Sequence, residues 1–304
     1  MDADIGENMK IAISQHPISG VSSFENYCDR VEQRLQRLKM QKVSVVCMPE
    51  FGSYELTNLL DSEYSIDEQA DAMQEFAFPL RDFYAKLAKE LDLCICTPSF
   101  IFRSDEGWRN RAWVVSPEGI DFQDKLHPSI YEQDFLGVNG GKELKVFNCK
   151  GLKFIVCLGI DIEYDAVINQ AIEQGIKLII MPAATDNPQS YNRAKIAAQM
   201  RAMQHNIYVA WSPLIGRFEH SGIIESAIGE ASLFGPIDEG FPENGIVNQA
   251  KPYKSGWLIE RLSANGLRAL QENSQFPKTS DSYSEIVEVK ESSPIELNTH
   301  KELI

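Results

Sequence analysis

A layered α/β fold is expected from this sequence, and three features carry the expectation. Apolar runs of strand length recur along the chain. Amphipathic segments of helical period lie between them. The composition, 43% apolar and 24% charged, is ordinary for a globular protein, and 304 residues suffice for one large core.

The elements follow in order. Met9 to Gln15 (MKIAISQ) reads as a strand and Val43 to Met48 (VSVVCM) as a buried one. Between them Phe24, Tyr27, Cys28, Val31, Leu35 and Leu38 recur at intervals of three and four, one face of a helix. That is a β–α–β unit, which predicts two parallel strands. Ala70 to Leu91 repeats the helical period, and Leu93 to Pro98 and Arg111 to Ser116 read as strands, the latter closed by the turn Pro117-Glu118-Gly119. A strand over Phe154 to Leu158, a helix over Ala166 to Gln174, a strand over Leu178 to Met181, a helix over Tyr191 to His205 and a strand over Ile207 to Ser212 complete the pattern. Regularity fades after Leu270. The domain is therefore set at 9–270 and an acidic tail at 271–304, within which Glu285 to Lys290 (EIVEVK) alternates like a short strand.

Charge narrows the partners. A net charge of −15 repels nucleic-acid phosphates and anionic membrane surfaces. No run reaches the ~18 consecutive apolar residues of a membrane span, and the polar, acidic start lacks the basic region of a secretory signal. Of the cysteines, Cys28, Cys47, Cys94, Cys96, Cys149 and Cys157, four lie in apolar strand-like runs, and their spacing matches neither a zinc site nor a CxxC redox pair. A reducing cytoplasm is the expected compartment, and neither metal nor organic cofactor is expected.

Three segments carry candidate chemistry, each beside an expected strand end, where α/β proteins place their sites. In Met48-Pro49-Glu50-Phe51, Pro49 stops a buried strand and sets Glu50 at its mouth. A carboxylate beside an apolar core gains proton affinity, which suits a general base. In Asp124-Lys125-Leu126-His127 the lysine can stabilise an oxyanion if it approaches that glutamate, and Glu132 follows seven residues on. In FIVCLGIDIEYD, from Phe154 to Asp165, an apolar strand ends abruptly before acidic residues and a helix, the setting in which nucleophiles are presented. Each segment alone is also an ordinary loop; their combination is the signal.

Together these segments resemble the nitrilase superfamily of carbon–nitrogen hydrolases over roughly residues 9–265. Glu50 matches the family's PE motif, and Lys125 and Glu132 match its lysine motif and supporting glutamate. Asn110 and the turn Pro117 to Gly119 match the stretch leading into that lysine. Pro182-Ala183-Ala184 matches the strand end after the nucleophile helix. Arg201 to Asn206 is similar to the RA-x-E-N helix end, with Gln204 where glutamate is usual, and Gly229 to Pro236 to the G-x-S segment. The third motif departs. Aligning Asp161 and Tyr164, the expected substrate-binding pair, with the family's C-Y-D segment puts Gly159 on the nucleophilic cysteine and Asp165 on a proline. Cys157 stands two residues earlier, on the same strand face as residue 159 if the pleat continues, and ~6–7 Å away along it.

The resemblance implies a four-layer α-β-β-α sandwich, a homodimer or higher homo-oligomer with the tail crossing a subunit interface, and a site for a small amide, carbamoyl compound or nitrile. Its mechanism is covalent: a thiolate forms a thioester, Glu50 moves the protons, and Lys125 holds the tetrahedral oxygen. Gly159 has no side chain for that role. Three explanations stand: a native glycine in a homologue that binds a ligand or regulates, an introduced change that traps substrate, or a shifted register with Cys157 acting. The native glycine is preferred, because inactivating changes are more often to alanine or serine. Substrate choice is expected to rest on loops at 51–66 and 129–143.

Overall fold

The computed structural model describes residues 9–218 and 221–274 together with Phe276. In chain order the strands are β1 (Lys10–Gln15), β2 (Val45–Cys47), β3 (Cys94–Cys96), β4 (Phe100–Ser104), β5 (Gly107–Ser116), β6 (Gly119–Asp124), β7 (Phe147–Cys149), β8 (Leu152–Val156), β9 (Leu178–Ala183), β10 (Tyr208–Pro213), β11 (Gly216–Arg217), β12 (Ser226–Ala227), β13 (Ser232–Phe234), β14 (Ile246–Gln249) and β15 (Gly256–Arg261). The α-helices are α1 (Phe24–Met40), α2 (Ile66–Ala72), α3 (Gln74–Leu91), α4 (Ile130–Leu136), α5 (Asp165–Glu173), α6 (Pro188–His205) and α7 (Ala264–Asn273).

Two sheets form the interior. One runs β15-β1-β2-β3-β5-β4, with β6 also paired to β5; the other runs β14-β13-β10-β9-β8-β7. β1 and β2 pair in parallel, as the β–α–β unit requires. Ile11, Ile13, Cys47 and Val114 of the first sheet meet Phe154, Val156, Ile180 and Ala210 of the second in one apolar layer. The outer face of the first sheet, with Val46, Ile95 and Val115, is covered by Leu35 and Leu38 of α1 and Leu80, Tyr84 and Leu87 of α3. That of the second, with Ile155, Ile179 and Val209, is covered by Ile168 of α5 and Ala198 and Ala202 of α6. The molecule is thus a four-layer α-β-β-α sandwich. Buried on both faces, β9 and the Phe154–Val156 part of β8 read as continuous apolar runs rather than alternating ones.

Several local expectations differ from the structure. The helix expected over Ala70 to Leu91 is two, meeting at Met73. The side-chain amide of Gln74 donates to the Ala70 carbonyl (2.8 Å) and thus takes the acceptor its own backbone N–H would use in a continuous helix. The expected loop 51–66 contains a 3-10 helix over Gly52–Leu59, and 129–143 contains α4. α7 extends to Asn273, three residues beyond Leu270, and the strand expected at Glu285 to Lys290 lies outside the described residues. Among the described residues no helix is long and apolar enough to cross a membrane.

Candidate active site

The ends of β2, β6, β8 and β9 lead into one cavity of about 580 Å³, whose lining includes Glu50, Lys125, Glu132, Gly159 and Ala184. Glu50 follows β2 in a tight turn: Phe51 adopts a left-handed conformation (φ 56°), and its N–H donates to Ser99 Oγ at 3.0 Å. Lys125 follows β6, with its N–H on the Asn110 carbonyl (2.8 Å) and its own carbonyl accepting from the Gly141 N–H (2.8 Å). The returning chain passes so close that a Cβ on Gly140 would lie 2.4 Å from the Leu126 carbonyl oxygen, so only glycine fits there. Glu132 occupies the third position of α4. Ser129 Oγ accepts from its N–H (3.2 Å) while its carboxylate accepts from the Ser129 N–H (2.7 Å), a reciprocal cap.

All three side chains are buried and meet. Lys125 Nζ donates to Glu50 Oε1 at 2.8 Å and to Glu132 Oε2 at 2.6 Å. Asn110, from the middle of β5, donates through Nδ2 to Glu50 Oε1 (2.9 Å) and Glu132 Oε1 (2.8 Å), and the Ala184 N–H donates to Glu50 Oε2 (2.9 Å). Asn110 completes the cluster although the sequence reading placed it only in the approach to the lysine motif. Its signal was an uncharged polar residue flanked by two arginines in a strand that is otherwise apolar towards its end.

The two carboxylates differ. Burial pushes Glu50 up to about 7, against the pull of the Lys125 ammonium, and the neighbouring charge of Glu132 pushes the same way. Burial also works against ionised Glu132, but Lys125, the Ser129 N–H and Asn110 together hold it below the usual glutamate value. Lys125 is raised, because its two carboxylates outweigh burial. Near neutral pH the cluster therefore pairs an ammonium with one firm carboxylate and one carboxyl poised to exchange a proton. A lysine ammonium has three N–H donors; two are taken within the cluster, leaving one for a ligand oxygen.

Gly159 begins a 3-10 turn after β8 with φ +52°, a left-handed conformation. A Cβ there would lie 2.8 Å from Glu50 Oε2 and 3.3 Å from Lys125 Nζ, so position 159 faces the cluster. Cys157 does not share that direction. It packs with Ile155, Ile168 and Ala198 on the helix side of the sheet, where burial pushes its thiol well up. The expected common face fails because β8 ends at Val156 and the left-handed turn redirects residue 159.

Asp161 and Tyr164, expected to touch substrate, do not line the cavity. Asp161 is buried and accepts from the Leu126 N–H (3.0 Å), the His127 N–H (2.7 Å) and the Leu158 N–H (3.3 Å), with His127 Nδ1 also at 3.0 Å. It clasps the lysine loop to the Gly159 turn. Tyr164 is 44% exposed and stacks on His127, with ring centroids 3.7 Å apart. Among the described residues no group of three or more His, Cys, Asp or Glu side chains is arranged to hold a metal ion.

Comparison with known proteins agrees with this architecture. A family model described as carbon–nitrogen hydrolase matches residues 10–236. Probable hydrolase YhcX of Bacillus subtilis (strain 168) is 23% identical over 283 residues, covering 93% of this chain and 55% of that protein. The chain thus spans about half the length of the curated relative it matches. Among solved structures, Saccharomyces cerevisiae Nit3, a member of branch 10 of the nitrilase superfamily, superposes with a TM-score of 0.71 at 16% identity, over 90% of this chain and 97% of that one. An amidase from Nesterenkonia sp. gives 0.64 at 18% identity, over 86% and 93%. At these identities the two structures speak for the fold alone.

Proposed function

This chain belongs to the carbon–nitrogen hydrolase family, and from that premise we propose that its Glu50–Lys125–Glu132 cavity receives a small amide, carbamoyl compound or nitrile and holds it without a thioester step. One observation carries the reading: the position facing Glu50 and Lys125 belongs to Gly159, and Cys157 is packed on the other side of its sheet. Lys125 supplies the free N–H to the ligand's carbonyl oxygen or nitrile nitrogen, Glu132 and Asn110 fix the ammonium and Glu50 in place, and Asp161 sets the distance between the lysine loop and the turn.

A second reading is favoured by the proton affinity of Glu50, near 7. Its carboxylate takes a proton from water, the oxygen adds to the ligand carbon, and the protonated Glu50 returns the proton to the leaving nitrogen. Lacking the covalent route, this path is slower by several orders of magnitude than cysteine catalysis.

The test is a panel of small amides, carbamoyl compounds and nitriles, followed by calorimetry, ammonia release and intact mass. Saturable binding that Glu50→Gln weakens, with no covalent adduct, is expected. Gly159→Cys is expected to acquire an acyl adduct, at a stability loss of about 1–2 kcal/mol for the left-handed backbone, with Glu50 displaced to make room. Rapid ammonia release that Cys157→Ser abolishes would overturn the proposal.

Two wider proposals accompany this one. The outer face of α6 exposes Ile196, Met200 and Met203 at i, i+4 and i+7, a stripe suited to pairing with a second copy. The six free cysteines fit a reducing cytoplasm.

A further inference from the structure

We propose that a second cavity, on the opposite face of β5 from the Glu50 cluster, binds a small oxyanion, a phosphate or a carboxylate, between Arg109 and Lys142. The cavity is about 600 Å³, as large as the first, and is lined by Phe78 of α3 together with residues of β4, β5 and β6. Its lining includes the cations Arg103, Arg109, Arg111, Lys142 and Lys145 and the carboxylates Asp105, Glu106, Asp124 and Glu143, a near balance of charge in a chain of net charge −15.

Three of these cations are already committed. Arg103 pairs with Asp71 at 2.5 Å. Arg111 forms a bidentate pair with Asp124 (2.6 and 2.9 Å) between the rings of Phe102 and Phe122. Lys145 binds Asp121 at 2.7 Å. Arg109 is different. It is only 5% exposed, yet the carboxylate bonded to it, Glu106 at 3.0 Å, is 59% exposed at its side chain, on the turn between β4 and β5. A desolvated guanidinium needs a close anion, and a solvent-screened one compensates it poorly. The same Glu106 reaches Lys142 at 2.9 Å, so it stands between two cations as a tethered anion that a free oxyanion can replace.

The location adds meaning. Arg109 and Asn110 are adjacent on β5 and point to opposite faces, one to this cavity and the other to Glu50 and Glu132. Asp124 and Lys125 divide between the two cavities in the same way. An anion here would lie one residue from two members of the amide site.

The experiment is calorimetry on the full chain with inorganic phosphate and with succinate, chloride serving as the control anion. Glu106→Gln removes the competing carboxylate and should tighten binding about tenfold, whereas Lys142→Ala should weaken it several-fold. Phosphate alone, succinate alone, or both binding with this pattern supports the site and identifies its anion. Lack of saturable binding up to about 10 mM in both the unmodified chain and a folded Glu106→Gln variant overturns it, as does binding that Lys142→Ala leaves unchanged. Neither Glu106 nor Lys142 lines the amide site, so failure here leaves that reading intact.

Discussion

Two walls of the same cavity present different chemistry. One carries Glu50, Asn110, Lys125 and Glu132, joined by charge-assisted hydrogen bonds of 2.6 to 2.9 Å. The other is the turn after β8, which keeps its Asp161 clasp on the lysine loop but offers hydrogen alone at position 159. The turn thus faces the charged wall with no side chain at position 159. Alignment of the turn comes from a buried carboxylate gathering backbone donors, and that does not depend on what residue 159 bears. The charged wall is likewise self-consistent, since its ammonium is neutralised by its own carboxylates.

The largest perturbation of this contrast is on the charged wall. Lys125→Met should leave two buried carboxylates without their cation and cost about 3–5 kcal/mol, measured by denaturant titration at pH 8. The loss should shrink at pH 5, where a carboxylate can protonate. Asp161→Ala tests the other wall and should cost about 3 kcal/mol by stranding backbone N–H groups. If ligand binding survives that change undiminished, the clasp has no part in setting the site. The smallest effect separates the two carboxylates of the charged wall. Glu50 has a raised folded pKa, so its contribution to stability is greatest below 4.5, the usual value, and is lost as pH rises towards 7. Glu132 is lowered, so its contribution is present above 4.5 and is lost as pH falls. Glu50→Gln should flatten the stability profile between pH 4.5 and 7; an unchanged slope there would contradict the proton affinity assigned to Glu50.

Much of this was legible in the sequence because it rests on periodicity and punctuation. The runs at β1, β2, β8, β9 and β10 and the stripe of α1 announce themselves through burial, and Pro49 and the acidic residues after Leu158 mark strand ends. What stayed hidden depends on contacts between distant segments. β15 pairs with β1 across some 240 residues, and neither strand records its partner. Asn110 reads as one more polar residue until Glu50 and Glu132 arrive from either side. Asp161 is expected to bind substrate because the resemblance aligns it with the family's nucleophile segment; only the fold brings the lysine loop's N–H groups to it. The orientation of Cys157 was misread because period-two reasoning holds only while the strand lasts.

The cap on α4 has a consequence for motion. Only Glu132 and Leu136 of this seven-residue helix are buried, and Glu132 is also the firm anchor of Lys125. Fraying of the first turn and release of the ammonium are therefore one event rather than two. Hydrogen–deuterium exchange through Ile130–Leu136 then becomes a reporter for the site, and a ligand gripping Lys125 should slow that exchange from the far side of the lysine, without touching the helix backbone.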